Sequence, residues 1–223
     1  GALIGEIQRI QPKMVMGVNP NTPTGQLTAR KEWLRLLNAI SPKIQLVVDE
    51  AYIEYAGGNH SLEKDVKRYP NLVILKSMSK VYALSGVRVG YLVASTLIIN
   101  RLLPYIPPWA VSLPGQMAGV TALRDTPYYR KQWVKTHRLR KSFSKKLARF
   151  PGFKVYDSVL NLLLVELPKG KSARKIIEKL REKNIYVRDC SSMGKHFGDS
   201  FLRITVKSAE TNDRIVQALK NIL

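Results

Sequence analysis

The sequence predicts an α/β fold in which a mostly parallel sheet, covered by helices, is followed by a small α+β domain. Over the first two-thirds of the 223 residues, short continuous apolar runs alternate with amphipathic helical segments, the pattern of a buried parallel sheet. In the last third, several apolar runs accompany only two helical segments, which indicates a small α+β domain. We therefore expect one domain over residues 1–124 and a linking helix with a second domain over residues 125–223.

The first domain is predicted to contain a helix and four strands. Thr28 is a suitable N-cap residue, and apolar side chains follow it at helical spacing. The apolar positions of this helix are Trp33, Leu34, Leu37 and Ile40. The predicted strands are the apolar runs Met14–Val18, Ile44–Val48, Asn71–Leu75 and Val89–Ala94, of which the second is mostly β-branched.

A long basic helix is expected to join the two domains. The segment from Thr126 to Arg149 contains nine lysines and arginines and no acid, and its aromatic and leucine side chains recur at near-helical spacing. Beyond it, strands are predicted at Phe153–Tyr156, Leu162–Leu167, Ile185–Arg188 and Phe201–Val206, and helices at Ser172–Lys183 and Ala209–Leu223.

Composition limits the function classes. Hydrophobic residues make up 45% of the chain and charged residues 24%, as in globular proteins with a core. The 37 basic and 16 acidic residues give a net charge of +21, which favours anionic partners. We expect small anionic ligands rather than nucleic acid, because no nucleic-acid-binding motif is present. No apolar run reaches the roughly 20 residues that span a bilayer, and no signal peptide is recognisable, so a cytoplasmic location is expected.

Metal and disulfide chemistry are not expected. Cys190 is the single cysteine, which excludes an intramolecular disulfide and a cysteine-based zinc site. The three histidines are far apart in the sequence, so no metal ligands are assigned.

Polar side chains follow three of the predicted strands and indicate a ligand site. Asn21 follows the first strand, Asp49 the second, and Lys80 comes soon after the third. Ligands in open α/β sheets bind at the carboxyl ends of strands. Ser77, Ser79 and Arg88 lie near Lys80 in the sequence and complete the candidate set.

Four motifs give this set a family resemblance. NPNTPTG (19–25), DEAY (49–52), SMSK (77–80) and RVGY (88–91) resemble, in order and spacing, the signature of fold-type-I pyridoxal-phosphate (PLP) enzymes, the aspartate aminotransferase superfamily. The blocks SVLNLLLVELP, IYVRDCSS and FLRITVKSAETND resemble the histidinol-phosphate aminotransferase group, which includes threonine-phosphate decarboxylase. The resemblance implies PLP as the cofactor and an aspartate aminotransferase-like large domain that is incomplete at its N-terminus.

The resemblance also implies roles for individual residues. Lys80 would form the Schiff base with the cofactor aldehyde, and the Asp49 carboxylate would keep the pyridine nitrogen protonated. Tyr52 would hydrogen-bond the ring O3′. The cofactor phosphate would be bound by Ser77, Ser79 and Arg88. Most relatives have Asn immediately before PTG, where this sequence has Thr22; Asn21 is then the nearest candidate for the remaining O3′ contact.

The substrate would be bound by residues of the small domain. Arg203 and Arg188 match arginines that bind the substrate carboxylate or phosphate in the group, and arginine recognises both anions bidentately. Asn161 is a further candidate substrate contact, although a structural role in a turn is equally compatible with its position. Cys190 is expected to take no part in the chemistry.

Three functions are compatible with these residues. The first is a carboxy-lyase that converts L-threonine O-3-phosphate to aminopropanol phosphate in cobalamin biosynthesis; the second is a histidinol-phosphate-type aminotransferase. The two would share every cofactor residue. The third is a truncated, non-catalytic fragment, because neither the glycine-rich helix N-terminus nor the stacking aromatic of the group is recognisable. A small amino-acid phosphate is the expected substrate, and a homodimer is the expected assembly.

Overall fold

The computed structural model describes residues 1–57 and 59–223. The chain forms two compact units. The first comprises Gly1–Pro20 and Leu27–Arg130, and the second comprises Asn21–Gln26 and Lys131–Leu223. The NPNTPTG motif is therefore divided between the units.

The first unit contains a four-stranded sheet and six α-helices among the described residues. Its elements are α1 (Ala2–Ile10), β1 (Met14–Val18), α2 (Arg30–Ala39), β2 (Gln45–Asp49), α3 (Ile53–Ala56), β3 (Leu72–Ser77), α4 (Met78–Val81), β4 (Gly90–Val93), α5 (Thr96–Leu102) and α6 (Leu113–Arg124), with 3-10 turns at Glu63–Lys67 and Leu103–Tyr105.

The sheet of the first unit has the strand order β1-β2-β3-β4. The pairs β1–β2 and β2–β3 are parallel, as predicted, whereas β4 is antiparallel to β3. In this register Asp49 pairs with Leu75, and Ser77 pairs with Gly90. The ends of β2 and β3 and the start of β4 thus meet at one edge of the sheet.

One face of this sheet packs against α2. Its core side chains are Leu46, Val48, Leu72 and Ile74 from the strands and Trp33, Leu36 and Leu37 from the helix. Gly17 of β1 is needed here, because a Cβ at this position would lie 2.4 Å from a ring carbon of Trp33. On the opposite face of β1, Met14, Met16 and Val18 are 56%, 63% and 39% exposed.

The second unit is a small α+β unit that receives most of the long helix α7 (Thr126–Leu147). Its further elements are β5 (Lys154–Val155), β6 (Leu162–Glu166), α8 (Ala173–Arg181), β7 (Arg188–Asp189), a 3-10 turn at Ser191–Met193, β8 (Phe201–Thr205) and α9 (Ala209–Ile222). The sheet order is β5-β6-β8-β7, and every pair is antiparallel. Its inner face packs on α7, α8 and α9 through Phe143, Leu163, Leu180, Ile204 and Leu219.

Two local predictions were wrong. Thr28 does not cap α2; the N-cap is Ala29, without a side-chain hydrogen bond. Instead, the Thr28 N–H donates to Asn19 Oδ1 at 2.9 Å. The strand predicted at Ile185–Arg188 is limited to Arg188–Asp189, because the Ile185 N–H donates to the Leu180 carbonyl and so belongs to the end of α8. Asn184, which precedes it, has a left-handed φ of 56°.

In the part of the chain that the structure describes, no helix is both long enough and apolar enough to cross a membrane.

Candidate functional site

The first component of the site is the carboxyl end of β2. Asp49 is the last residue of this strand, and its Oδ1 accepts a hydrogen bond from the Ala51 N–H at 2.8 Å. The Asp49 carbonyl accepts the N–H of Asn19 at 2.8 Å. Asn19 is fully buried, and its side-chain amide bonds both backbone groups of Thr28. Asn19 thus fixes the start of the NPNTPTG loop against the strand that ends in Asp49, a role that sequence analysis missed.

The second component is the short helix α4, which follows β3 directly. The Ser77 hydroxyl caps this helix by accepting the Ser79 N–H at 3.3 Å. Lys80 lies in the same helical turn and is exposed, and among the described residues its Nζ makes no hydrogen bond or ion pair. Its backbone carbonyl accepts a hydrogen bond from the Tyr55 hydroxyl at 3.5 Å. The Lys80 amine is therefore available for reaction.

The third component is the loop before β4. Arg88 has a φ of 55°, a left-handed conformation that costs energy for a residue with a side chain. This conformation directs its guanidinium towards α4, where Nη1 donates to Ser79 Oγ at 3.4 Å and to the Ser85 carbonyl at 3.0 Å. Gly90 allows β4 to approach β3 closely, because a Cβ there would lie 2.6 Å from the Lys76 carbonyl oxygen.

These components lie on three adjacent strands, which together span only about 10 Å at a spacing of roughly 4.8 Å. The first unit therefore brings together Asp49, Ser77, Ser79, Lys80 and Arg88. Tyr52 immediately precedes α3, and its ring centroid lies 6.5 Å from that of Tyr55. Burial, followed by the influence of Tyr52, raises the pKa of Tyr55 to about 12, so its hydroxyl remains a proton donor at neutral pH.

Asn21 is held within the second unit. Its Nδ2 donates to Thr24 Oγ1 at 2.8 Å, and its N–H donates to the Gln26 carbonyl at 2.8 Å. The side chain is exposed, and its hydrogen bond to Thr24 lies within the loop. The structure therefore describes Asn21 as part of a self-closed loop, and its contact with a cofactor stays a prediction.

The two predicted substrate arginines lie next to each other in the second unit. Arg188 and Arg203 are paired residues of the antiparallel strands β7 and β8, so their side chains leave the same face of the sheet. That face is opposite to the one that Leu202 and Ile204 contribute to the core. The Arg203 Nε is buried, and no residue of the described chain accepts a hydrogen bond from it. A buried guanidinium nitrogen without an acceptor indicates a place for an anion.

Asn161, the remaining candidate, immediately precedes β6. The Asn161 carbonyl accepts the Val206 N–H at 2.8 Å, a bond that belongs to the sheet, and its side chain makes no hydrogen bond among the described residues. Cys190 is buried, and burial raises the pKa of its thiol, which disfavours the nucleophilic thiolate. No group of three or more possible metal ligands occurs within residues 1–57 and 59–223.

Sequence analysis missed a buried ion cluster behind the site. Lys76, one residue before Ser77, contacts the carboxylates of Glu50 and Glu54. The available signal was a lysine inside an otherwise apolar strand, together with an acid immediately after Asp49.

The donors brought together in the first unit suit PLP. They comprise one carboxylate for a ring nitrogen, two hydroxyls and a guanidinium for a phosphate, and one amine for an aldehyde. A PLP molecule could reach these groups without displacing any of them, because the Lys80 amine and the Arg88 side chain are exposed.

Comparisons with known proteins found matches over nearly the whole chain. Residues 2–219 match the family model for aminotransferase class I and II. The chain is 36% identical over 213 residues to histidinol-phosphate aminotransferase 2 of Archaeoglobus fulgidus, covering 95% of this chain and 59% of that protein. It is 32% identical over 211 residues to the histidinol-phosphate aminotransferase of Methanocaldococcus jannaschii, covering 95% of this chain and 56% of that protein.

Two solved structures show the same fold. One is the histidinol-phosphate aminotransferase of Clostridium acetobutylicum, with a TM-score of 0.89 and 27% identity, covering 98% of this chain and 67% of that one. The other is the L-threonine-O-3-phosphate decarboxylase of Porphyromonas gingivalis, with a TM-score of 0.84 and 30% identity, covering 94% and 64%. The chain thus spans little more than half the length of the curated relatives named above.

Proposed function

Because the chain belongs to the aminotransferase class I and II family, we propose that the whole protein is a PLP-dependent aminotransferase that acts on a phosphorylated amine, as a histidinol-phosphate aminotransferase does. The cofactor expected from the sequence, PLP, is the one that this family indicates. The decarboxylase that the sequence motifs favoured is supported less well than its alternative, since the curated relatives are named histidinol-phosphate aminotransferases.

The observation that carries this proposal is the arrangement of donors at the ends of β2 and β3 and before β4. The Asp49 carboxylate would hold a proton on the pyridine nitrogen. Ser77, Ser79 and Arg88 would bind the phosphate, which needs hydroxyl and guanidinium donors. When bound at Lys80, PLP serves as an electron sink for the bond broken at the substrate Cα.

The chain's own residues would then control proton transfer. The Lys80 amine, once displaced by the substrate amine, is the base expected to move a proton at the substrate Cα. Tyr52 would hydrogen-bond the ring oxygen, and Tyr55 holds the Lys80 backbone through its carbonyl. These positions are proposals; the hydrogen bond of Tyr55 is a feature of the fold.

The substrate anion would be bound by Arg188 and Arg203. Both guanidiniums leave one face of the small sheet, and none of the described residues accepts a hydrogen bond from the Arg203 Nε. A phosphate or carboxylate placed between them would supply acceptors to both, and charge-assisted bonds of this kind are about twice as strong as neutral ones. Asn161 remains a candidate for a further substrate contact.

The second candidate function is decarboxylation of L-threonine O-3-phosphate. It is favoured by the 30% identity and TM-score of 0.84 to a decarboxylase of that specificity. The two reactions would differ in which bond at the substrate Cα is broken, and therefore in where the arginines would hold the carboxylate.

The deciding experiment is a product assay on the purified protein with added PLP. Histidinol phosphate with 2-oxoglutarate tests the aminotransferase, through formation of glutamate. L-Threonine O-3-phosphate tests the decarboxylase, through release of CO₂. Glutamate formation without CO₂ release supports the proposal. Release of CO₂ alone would support the second candidate instead. If PLP is fully bound and neither product forms, both candidates are overturned.

A further inference from the structure

Lys76 lies in a buried cluster of acidic side chains. Its side chain is 3% exposed, and its Nζ lies 3.1 Å from Glu50 Oε2, 2.9 Å from Glu54 Oε1 and 3.8 Å from Glu63 Oε2. Among these four residues, three carboxylates face one ammonium in a protein whose net charge is +21. Burying these charges costs desolvation free energy, so packing alone does not explain the cluster.

The cluster is completed by hydrogen bonds to Glu50, which is fully buried. Ser61 Oγ donates to its Oε2 at 2.6 Å, and the Leu62 N–H donates to its Oε1 at 2.7 Å. Burial raises the pKa of the Glu50 carboxyl, while burial alone would lower the pKa of Lys76. The attraction of Glu54 and Glu50 outweighs burial at Lys76, so its pKa is raised and the ammonium persists.

The cluster joins the two segments that carry the candidate catalytic residues. Glu50 immediately follows Asp49, and Glu54 lies in α3, which Tyr52 precedes. Lys76 immediately precedes Ser77, whose hydroxyl caps the helical turn of Lys80. The ion pairs of Lys76 therefore connect the segment 49–56 to the segment 77–80 from behind the sheet.

Side-chain alternation separates this cluster from the site itself. Asp49 and Glu50 are successive residues, as are Ser77 and Lys76, so the members of each pair point to opposite faces. Lys76 shares its face with its cross-strand partner Tyr91. Lys76 thus lies behind the face that carries Asp49 and Ser77.

We propose that Lys76 is a positioning residue: its ion pairs with Glu50 and Glu54 set the position of Asp49 and Tyr52 relative to Lys80. This inference rests on the proposed function, because only that function makes Asp49, Tyr52 and Lys80 catalytic residues. Lys76 itself does not attach the cofactor, because its amine is enclosed by carboxylates on the opposite face. Its effect is transmitted through the backbone of β2, β3 and α3.

The test compares Lys76→Met with Lys76→Arg, which keeps the charge, and with Lys67→Met, which removes an exposed lysine of the same unit. Amide hydrogen exchange of the cofactor-free protein is measured first. In Lys76→Met, exchange within 49–56 and 77–80 is expected to rise at least about tenfold while the second unit stays unchanged. Lys76→Arg should restore most of the protection, and Lys67→Met should match the wild type.

The second measurement is a PLP titration followed by visible absorption across pH. In Lys76→Met, the affinity for PLP is expected to fall at least about tenfold, since small misplacements of catalytic groups are costly. The pH midpoint of the absorption change should also differ from that of the wild type. A folded Lys76→Met protein with wild-type exchange in both segments overturns the inference.

Should Lys76→Met fail to fold, Glu54→Gln replaces it, because this variant keeps the Lys76–Glu50 pair. A smaller rise in exchange within 49–56 is expected, and no rise overturns the inference. Absence of PLP binding in the wild type would overturn the proposed function instead, while the exchange data would still decide the role of Lys76 in positioning.

Discussion

Arg188 lies directly opposite Arg203 on the adjacent antiparallel strands β7 and β8. Two like charges in this position repel each other, because directly opposed Cβ atoms are only about 5 Å apart. The carboxyls nearest in sequence do not relieve the repulsion: Asp189 is bonded to Ser191, and no ion pair of either arginine occurs among the described residues. This repulsion disfavours the free protein, and an anion bound between the two guanidiniums would relieve it.

Replacing Arg188 with Gln should therefore have opposite effects on stability and on binding. The free energy of unfolding is expected to stay equal or rise by up to about 0.5 kcal/mol as the repulsion disappears. Affinity for the phosphorylated substrate should fall about tenfold or more, since a hydrogen bond to a charged group contributes roughly 1.5–3 kcal/mol. Urea unfolding and the KM of the full protein measure the two effects.

Arg181→Gln is the matched control for that variant, because Arg181 is an exposed cation at the end of α8. It should leave KM unchanged. A loss of stability in Arg188→Gln with unchanged KM would show that Arg188 is a structural surface charge.

Lys80→Ala is expected to abolish covalent attachment of PLP and to leave the fold intact. The Lys80 side chain is exposed, so its truncation should change the free energy of unfolding by less than about 0.5 kcal/mol. Borohydride reduction followed by peptide mass mapping locates the pyridoxyl group, and Lys64→Ala, another exposed lysine, serves as control. A reduced adduct on Lys76 in the wild type would contradict the assignment.

Stability at alkaline pH should depend on Tyr55. Burial raises its pKa in the folded state to about 12, from about 10 for an exposed tyrosine. The unfolded state therefore loses the proton first, so the contribution of Tyr55 is complete below pH 10 and is lost as the pH rises through 12. Between pH 9 and pH 11 this loss amounts to about 1.3 kcal/mol.

Urea unfolding at several pH values in this range tests the dependence on Tyr55. Tyr55→Phe should show a shallower decline than the wild type. Tyr105→Phe, at an exposed tyrosine, should decline like the wild type. Equal slopes for all three proteins would show that Tyr55 titrates normally.

The residues that carry the cofactor prediction could be found from sequence because motifs and strand ends coincide. Asp49 ends β2, and Ser77 ends β3, so a pattern of apolar runs followed by polar residues located them correctly on the fold. Periodicity also placed α8 and α9 nearly as observed, because their apolar stripes are regular.

The remaining features depend on contacts that are distant in sequence. β4 runs antiparallel to β3 and pairs Gly90 with Ser77, a direction that apolar spacing does not encode. Thr28 has the residue type of a helix cap, but its backbone is bonded by Asn19, nine residues earlier. The Lys76 cluster combines Glu50 and Glu54 with the more distant Glu63, and a lysine inside an apolar strand does not by itself identify these partners.

The basic helix α7 is predicted to be a solvated surface rather than a nucleic-acid interface. Lys131, Lys135, Arg138, Lys141 and Lys145 are exposed, whereas Phe143 and Leu147 on the other side are buried. Binding to a random DNA duplex should therefore be weak at physiological salt. A submicromolar dissociation constant there, with a steep decline as salt increases, would contradict this.

Gly25 should be the least replaceable glycine of the second unit. Its φ is +72°, and a Cβ would lie 2.0 Å from Ser158 Oγ and 2.5 Å from Ser158 Cβ. Its carbonyl also accepts the Val159 N–H at 2.9 Å, so the loop that contains Asn21 is bonded to the turn before β6. Gly25→Ala is expected to cost about 3 kcal/mol, from a left-handed backbone and a steric clash together.

Gly170→Ala separates these two contributions, because Gly170 also has a positive φ, +83°, but nothing within 4 Å of a Cβ. Gly170→Ala should lower the free energy of unfolding only by the cost of the left-handed backbone, about 1–2 kcal/mol. The double variant Gly25→Ala/Ser158→Gly should regain the stability that Gly25→Ala loses through the clash with Ser158. It also loses the hydrogen bond from the Leu160 N–H to Ser158 Oγ. Urea unfolding of the wild type, Gly25→Ala, Ser158→Gly and the double variant gives the coupling energy. Equal costs for Gly25→Ala and Gly170→Ala would mean that the loop does not press against Ser158, and that Asn21 is free to move independently of the turn at 157–160.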